Sequence, residues 1–521
     1  MIHQITVHVL ATLVLALLCL ATPTSTLNPC SNTPYPHLCA NAVSHDAMLS
    51  TLRHTLVRVS KTHDNFRRIA ANVDDDVGLR KMRALDDCLD LMEQTIFQLN
   101  TSIARVTDIR ELRAQLSASA TTQRTCTQVL QQAGLARHAA LNRGLVHINR
   151  HISNALAMAA AQEPSSSDSD YLSEYGLSYP MREDGYPEWM SEDDQKLLLA
   201  EEKDSYDIVV AQDGSGKFTS ISDAVNAAPS GSQKRFVIYI KAGNYSELVE
   251  IKQEKTNIMF LGDGMGKTVI RGNPSHASGF SIHTGVLKVI GNGFIAKGIT
   301  VENYAGPEGG QAVALLSKSD NSAFYQCSIL GYQDTLFTVA FRQFYRDCDI
   351  YGTMDFIFGN PSAVFQRCNI YLRKPKRGGA DVVTAMSRGG PTETTAMSFI
   401  ESNILAAPDL DPHRDSVRSF LGRPWQPAAR VVYMMCKIGD AIDPAGWGAM
   451  SGDPSTFKDL YFGEYMNNGP GADTKNREKW PGVKLITDPK EAAQFTAGAL
   501  INADQWLKGS GIPYFPGLNH N

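Results

Sequence analysis

Ile329-Leu330-Gly331-Tyr332-Gln333-Asp334-Thr335-Leu336-Phe337 lies without gaps on Ile350-Tyr351-Gly352-Thr353-Met354-Asp355-Phe356-Ile357-Phe358. Ile, Gly, Asp and Phe coincide at an offset of 21 residues, and Cys327 and Cys348 keep the same step. The Phe-Tyr pairs starting at Phe324 and Phe344 fall close to it, and a further Cys-x-Ile recurs at Cys368 and Ile370. A period of about twenty residues is what one coil of a parallel β-solenoid consumes, each coil closing its hydrogen bonds on the one below and burying a continuous core. Equivalent residues then stack, so the repeat predicts a right-handed parallel β-helix. A doubly wound sheet is disfavoured, because long amphipathic helices are lacking between the strands.

The texture around the repeat agrees. From Tyr206 onward, short β-branched and aromatic runs such as Phe236 to Ile240, Leu287 to Ile290, Ile299 to Glu302 and Ala312 to Leu316 alternate with Gly, Asn and Asp, the pattern of strands and turns. Residues 206–521 are therefore read as one β-helical domain. Upstream, residues 161–205 carry Pro164, Pro180, Pro187 and a polar run from Ser165 to Asp170, and read as a linker. Thirteen acidic residues against three basic ones give that linker a net charge of −10, so the whole-chain charge of −5 leaves about +5 elsewhere. Such a mild excess argues against a dedicated nucleic-acid binder and permits an acidic polymer as substrate.

Residues 26–160 read as helices. Leu49, Leu52, Leu56, Val59, Phe66 and Ile69 recur largely at three- and four-residue steps, as do Leu85, Leu89, Met92, Ile96 and Leu99, then Leu145, Ile148, Ile152 and Leu156. Packing these stripes together predicts an antiparallel four-helix bundle, with Cys30, Cys39, Cys88 and Cys126 as staples in any of three pairings. Before it, the apolar run Val7 to Leu20 and the small residues Ala21 to Ser25 predict a signal peptide over residues 1–25; an uncleaved anchor is the alternative. Secretion would remove Cys19 and leave eight of nine cysteines where disulfides persist. Two sequons, at Asn100 and Asn244, are compatible with that route.

On the predicted solenoid Asp334 and Asp355 fall on neighbouring strands, about 4.8 Å apart along the hydrogen-bonding direction. Two carboxylates that close do not both ionise comfortably, so one keeps a proton while the other stays charged, which supplies an acid and a nucleophile. A solvent-facing Asp ladder is the alternative. Two other signals are set aside. Gly262-Asp263-Gly264-Met265-Gly266-Lys267-Thr268 has three residues, rather than the four of a P-loop, before its Gly-Lys pair and reads as a turn. Thirteen histidines form no Cys/His cluster with metal spacing, so no metal and no cofactor are expected.

The Asp residues sit in a wider set of motifs. Gly331-Tyr332-Gln333-Asp334-Thr335-Leu336, Asp355-Phe356-Ile357-Phe358-Gly359 and Leu421-Gly422-Arg423-Pro424-Trp425, with Gly243-Asn244-Tyr245-Ser246-Glu247 and Gly306-Pro307-Glu308 leading to Gln311-Ala312-Val313-Ala314-Leu315, together resemble the pectin methylesterase family over Tyr206 to Leu518. The cysteine setting of the helical part, with Ser153-Asn154-Ala155-Leu156 near its end, resembles the plant invertase and pectin methylesterase inhibitor family. The resemblance implies an enzyme that removes methyl esters from cell-wall homogalacturonan in the apoplast. It implies Asp355 as nucleophile, Asp334 as acid and base, Gln333 and Gln311 as oxyanion donors, Arg423 paired with Asp355, and Trp425 as a sugar platform. Substrate contact is also expected at Ser281, where the family has Thr, while Val286 lacks that run's second hydroxyl. A single chain is expected to act as a monomer, with the bundle as its partner in cis.

The inhibitor resemblance implies disulfides Cys30–Cys39 and Cys88–Cys126, and in the catalytic part Cys327–Cys348 is expected. Ser402 stands where the family has a cysteine partner for Cys368, Met386 replaces a common Gln near the cleft, and the processing site reads Gln195-Lys196-Leu197-Leu198, with one basic residue missing. A retaining pectin glycosidase on the same fold and a non-catalytic regulator are the competing functions; the first would use a carboxylate pair about 5 Å apart.

Overall fold

The computed structural model describes residues 45–71, 79–135, 139–162, 206–450, 452, 457 and 459–518. The predicted signal peptide, Cys30, Cys39 and Lys196 lie outside the described residues.

Four helices come first: α1 (His45–Ala71), α2 (Leu79–Ala104), α3 (Ile109–Gln132) and α4 (Ala139–Ala160). Each packs beside its neighbours in sequence, and α1 closes the ring against α4. Leu52, Val59 and Phe66 of α1, Leu85, Met92 and Leu99 of α2, and Leu145, Ile148 and Ile152 of α4 are buried together, each burial stabilising the bundle by roughly 1.5–3 kcal/mol. The implied Cys88–Cys126 disulfide is present and ties α2 to α3. Helix α3 adds Leu112, Leu116, Ala120, Cys126 and Leu130 to that core. Ser117, Ser119, Thr121, Thr122, Gln123 and Thr125 are also buried on it: Ser119, Thr122 and Gln123 bond to Gln98 and Thr95 of α2 inside the bundle, whereas Ser117 and Thr121 meet Thr394 and Asn360 of the second domain.

The second domain is a right-handed parallel β-helix of three parallel sheets, with eleven, seven and eight strands. Each complete coil contributes one strand to each sheet, the terminal coils supplying the additional strands of the eleven-stranded one, and the predicted offset is the actual register: Ile329 pairs with Ile350, Leu336 with Ile357 and Phe337 with Phe358. The interior holds an aromatic ladder. Phe324, Tyr345, Phe365, Phe399 and Tyr433 stack at centroid distances of 4.9, 4.6, 4.6 and 4.6 Å, since in-register strands repeat at about that spacing. Sharp corners are made by single left-handed residues at equivalent places, among them Gln326, Asp347, Arg367, Glu401 and Met435. The repeated glycine has a steric cause: a Cβ on Gly331 would sit 2.6 Å from the Thr335 hydroxyl, and one on Gly352 2.1 Å from Phe356 Cβ. Gly262 and Thr268 bound a turn between two strands, as their spacing predicts.

One expectation is corrected. Cys327 and Cys348 do not form a disulfide; both are free, buried thiols. They occupy successive rungs of a ladder, Cys327, Cys348, Cys368, Ser402 and Cys436, that immediately precedes the paired positions Ser328, Asp349, Asn369, Asn403 and Lys437. Each thiol points inward and donates to the carbonyl of the residue two before it, Tyr325, Arg346, Gln366 and Met434 respectively, and the Ser402 hydroxyl does the same to Ile400. The backbone acceptors thus satisfy all five groups alike, and serine substitutes for cysteine without changing the rung.

Candidate active site

The seven-stranded sheet alternates its side chains. Leu315, Leu336 and Ile357 point into the solenoid, whereas Leu316, Phe337, Phe358 and Ala385 form a separate apolar strip outside it. Phe337 and Phe358 stack at 4.2 Å, with Trp425 5.9 Å beyond Phe358 and His283 5.7 Å from Phe337. This row floors a groove.

Asp334 and Asp355 enter the groove from the turns just before the strands Leu336–Thr338 and Ile357–Gly359, rather than from the strands themselves. Both adopt left-handed backbone, φ 61° and 54°, which Asp tolerates better than most residues. The shared conformation at equivalent positions turns both carboxyls into one pocket of about 220 Å3, lined also by Gln311, Gln333, Arg423, Trp425, Phe358 and Met450.

Their surroundings differ. Arg423 grips Asp355 with two parallel bonds, Nε to Oδ1 at 2.7 Å and Nη2 to Oδ2 at 2.5 Å. Burial raises the Asp355 carboxyl above its usual range, and this guanidinium fork pulls it back. Asp334 receives one amide bond, from Gln311 Nε2 at 2.9 Å. Burial and then the Asp355 charge push it well above the usual carboxylate range, with Gln311, Arg423 and Gln333 opposing. These surroundings favour charge on Asp355 and the proton on Asp334.

Of the residues expected at the site, Asp355, Asp334, Gln333, Gln311, Arg423 and Trp425 come together. Ser281 does not join them. Its hydroxyl donates to Asp87 of α2 at 2.8 Å, so the bundle holds it. Met386 is fully buried in the interior core rather than beside the cleft. Residue reading assigned no role to Phe337 and Phe358, although outward alternation next to the repeated Asp was the available signal. It also missed Arg373, whose guanidinium lies 3.9 Å over the Tyr332 ring and donates to the Tyr332 hydroxyl at 2.7 Å and the Gly331 carbonyl at 3.1 Å. Arg373 thereby braces the turn that carries Gln333 and Asp334. Nothing local marks it; it lies about two coils further along.

Helices α2 and α3 sit across the groove. Arg83 Nη1 donates to Gly279 O at 2.6 Å, Lys318 Nζ donates to Gln94, and Arg124 forms a two-bond ion pair with the buried Glu393, both at 2.8 Å. Asn360 Nδ2 donates to Thr121 at 2.8 Å, Ala118 joins the outer apolar strip, and Gln128 lines the pocket of the two aspartates. His283, buried under this cover, is held neutral, its pKa pushed down to about 3 by desolvation.

A carboxylate pair with flanking amide donors, in a groove on a parallel β-helix, fits a hydrolase of the carboxylic ester class. Comparison with known proteins gives the family. The sequence model described as Pectinesterase matches residues 207–504, and that of the plant invertase/pectin methylesterase inhibitor matches residues 27–158. The chain is 40% identical to a probable pectinesterase/pectinesterase inhibitor of Arabidopsis thaliana, over 91% of this chain and 90% of that one. It is 41% identical to a pectinesterase of Citrus sinensis, over 84% and 82%. Among solved structures, the pectin methylesterase from carrot aligns with a TM-score of 0.59 at 44% identity, covering 60% of this chain and 98% of that one. The chain belongs to the pectinesterase family.

Proposed function

We propose that this chain hydrolyses the methyl esters of galacturonate in pectin, releasing methanol and leaving pectate, with Asp355 as nucleophile and Asp334 as acid and base. The observation that carries the reading is the asymmetry of the pair: one carboxyl gripped by a guanidinium, its neighbour bound only by an amide and pushed toward the protonated form.

In this scheme an Asp355 oxygen attacks the ester carbonyl carbon, and the carbonyl electron pair moves onto its oxygen. The Gln333 and Gln311 amide N–H groups stabilise that oxyanion as fixed neutral dipoles. Collapse breaks the C–O bond to methoxide, which takes the Asp334 proton and leaves as methanol, giving an acyl-Asp355 anhydride. Water then gives a proton to Asp334 as it attacks the same carbon, and Asp355 departs as carboxylate. Phe337, Phe358 and Trp425 offer apolar faces to the sugar rings. The bundle, lying over this groove in the full chain, restrains access in the secreted, cell-wall form.

Asp355→Ala tests the scheme on secreted, purified protein: methanol release from highly methylated pectin should vanish while the far-UV spectrum and melting temperature stay close to the parent. Substantial residual turnover would falsify it. Methanol release without new reducing ends separates this activity from glycoside cleavage.

A further inference from the structure

The bundle closes the two ends of the groove unequally. Order in the seven-stranded sheet fixes positions along it. Ser281 precedes the strand Leu287–Val289, three strands from the Ile357–Gly359 strand that follows Asp355, and Trp425 follows the strand Ser419–Pro424, two strands away on the other side. At about 4.8 Å per strand, these marks lie roughly 14 Å and 10 Å from the dyad in opposite directions. At the Ser281 end α2 lies directly on the sheet. Asp87 accepts from the Ser281 hydroxyl at 2.8 Å, and Arg83 donates to Gly279 O at 2.6 Å with its guanidinium 4.6 Å over the Phe280 ring. The space left there, between Asp87 and Gln94 of α2 and His283 and Lys318 of the solenoid, is about 20 Å3, room for about one water molecule and too little for a sugar ring.

The Trp425 end stays open. A cavity of about 400 Å3 lies there between Gln128 and Gln131 of α3, Asn149 of α4, and Trp425 and Gln426 of the solenoid. Gln128 and Trp425 also line the pocket of the two aspartates, so the two spaces meet. The volume falls in the range of roughly 300–1,000 Å3 that takes a small organic ligand, and the amides on its wall offer donors and acceptors suited to sugar hydroxyls. With the bundle in place the side chains of Asp355 and Arg423 keep 14% and 20% of their surface exposed. Solvent therefore reaches the dyad while α2 and α3 are docked.

We propose that the docked bundle converts the groove into a blind slot, so that the full chain acts on short methylated galacturonate oligomers and on polymer ends while excluding the polymer interior. This rests on the esterase reading above. An internal residue of a long polymer reaches Asp355 only if the polymer leaves in both directions, and α2 blocks one of them. A terminal residue needs a single exit, which the cavity at Trp425 supplies. The bundle thus sets substrate size as well as access, and undocking extends the same chemistry from oligomers to the polymer.

The test compares methanol release by the full chain from methyl-esterified trigalacturonate and from highly methylated pectin of high molar mass. The double variant Arg83→Ala/Asp87→Ala opens the closed end. It should lower the trimer-to-polymer ratio of kcat/KM by about tenfold or more through a higher polymer value, with the trimer value kept within about twofold of the parent. Gln131→Trp, at an exposed position on the open wall, should lower trimer kcat/KM by about tenfold through KM. Three results overturn the proposal: a parent that turns over no trimer while the double variant is active, equal ratios in parent and double variant, or trimer turnover untouched in Gln131→Trp. Should the double variant fail to fold, Gln131→Trp decides alone. No methanol from either substrate in any form would instead overturn the esterase reading itself.

Discussion

Arg423 and Asp355 meet through two parallel hydrogen bonds, 2.7 and 2.5 Å long, across 68 residues of sequence. The fork favours charge on Asp355 over Asp334. Removing it in Arg423→Gln takes away the group that opposes desolvation, so the Asp355 pKa rises. The reaction needs Asp355 ionised and is lost as pH falls through that value, so the acidic limb of the kcat/KM profile moves to higher pH. Arg423→Lys restores the charge without the fork and should shift the limb less. An unmoved limb in Arg423→Gln would refute the assignment.

Asp334 is raised above its ordinary range, and the proposed first step uses its proton. Activity should therefore fall as pH rises through its pKa, giving the alkaline limb. Asp334→Asn is expected to lower kcat by about 10²–10⁴-fold and to flatten that limb, as measured by methanol release across pH.

Arg373 acts through the turn and touches neither aspartate. Arg373→Ala removes the stack on Tyr332, the two hydrogen bonds to its turn and the ion pair with Asp409, which loosens Gln333 and Asp334. The expected result is a kcat lowered by about tenfold with KM little changed, since a misplaced acid costs rate more than binding. A rise in KM alone would point to substrate contact instead.

The bundle covers the groove through partners that are themselves buried. Glu393 is 4% exposed, and Arg124→Ala leaves it without its ion pair, at a cost of roughly 3 kcal/mol to docking. Methanol release by the full chain should increase, approaching that of a chain shortened to begin at Tyr206. Equal activity of the full and shortened chains would show that the cover does not restrain catalysis.

Asp381 is fully buried beside Ser419, and desolvation pushes its pKa up to about 8. A carboxyl raised above its unfolded value favours the folded state at low pH and loses that contribution as pH climbs toward 8. Asp381→Asn should therefore raise the melting temperature at pH 7 more than at pH 4. Thermal melts at both pH values check this; an equal shift would place a hydrogen bond, not a charge, at the origin.

Sequence alone determined the solenoid, because parallel coils in register force identical residues to recur at a fixed step, and it determined the dyad, because both aspartates ride on that step. Its bundle stripes were legible for α1, α2 and α4, where burial is apolar and periodic. Helix α3 was not, since Ser117, Ser119, Thr121, Thr122 and Gln123 interrupt its apolar positions and find their partners only in α2 and in the second domain. Tertiary structure decided that Cys327 and Cys348 stay thiols on a ladder of backbone acceptors, that Ser281 answers to Asp87, and that α2 and α3 lie across the groove. Those outcomes depend on which surfaces meet. Local periodicity encodes a residue's own coil or helix face but carries no record of partners brought near by folding.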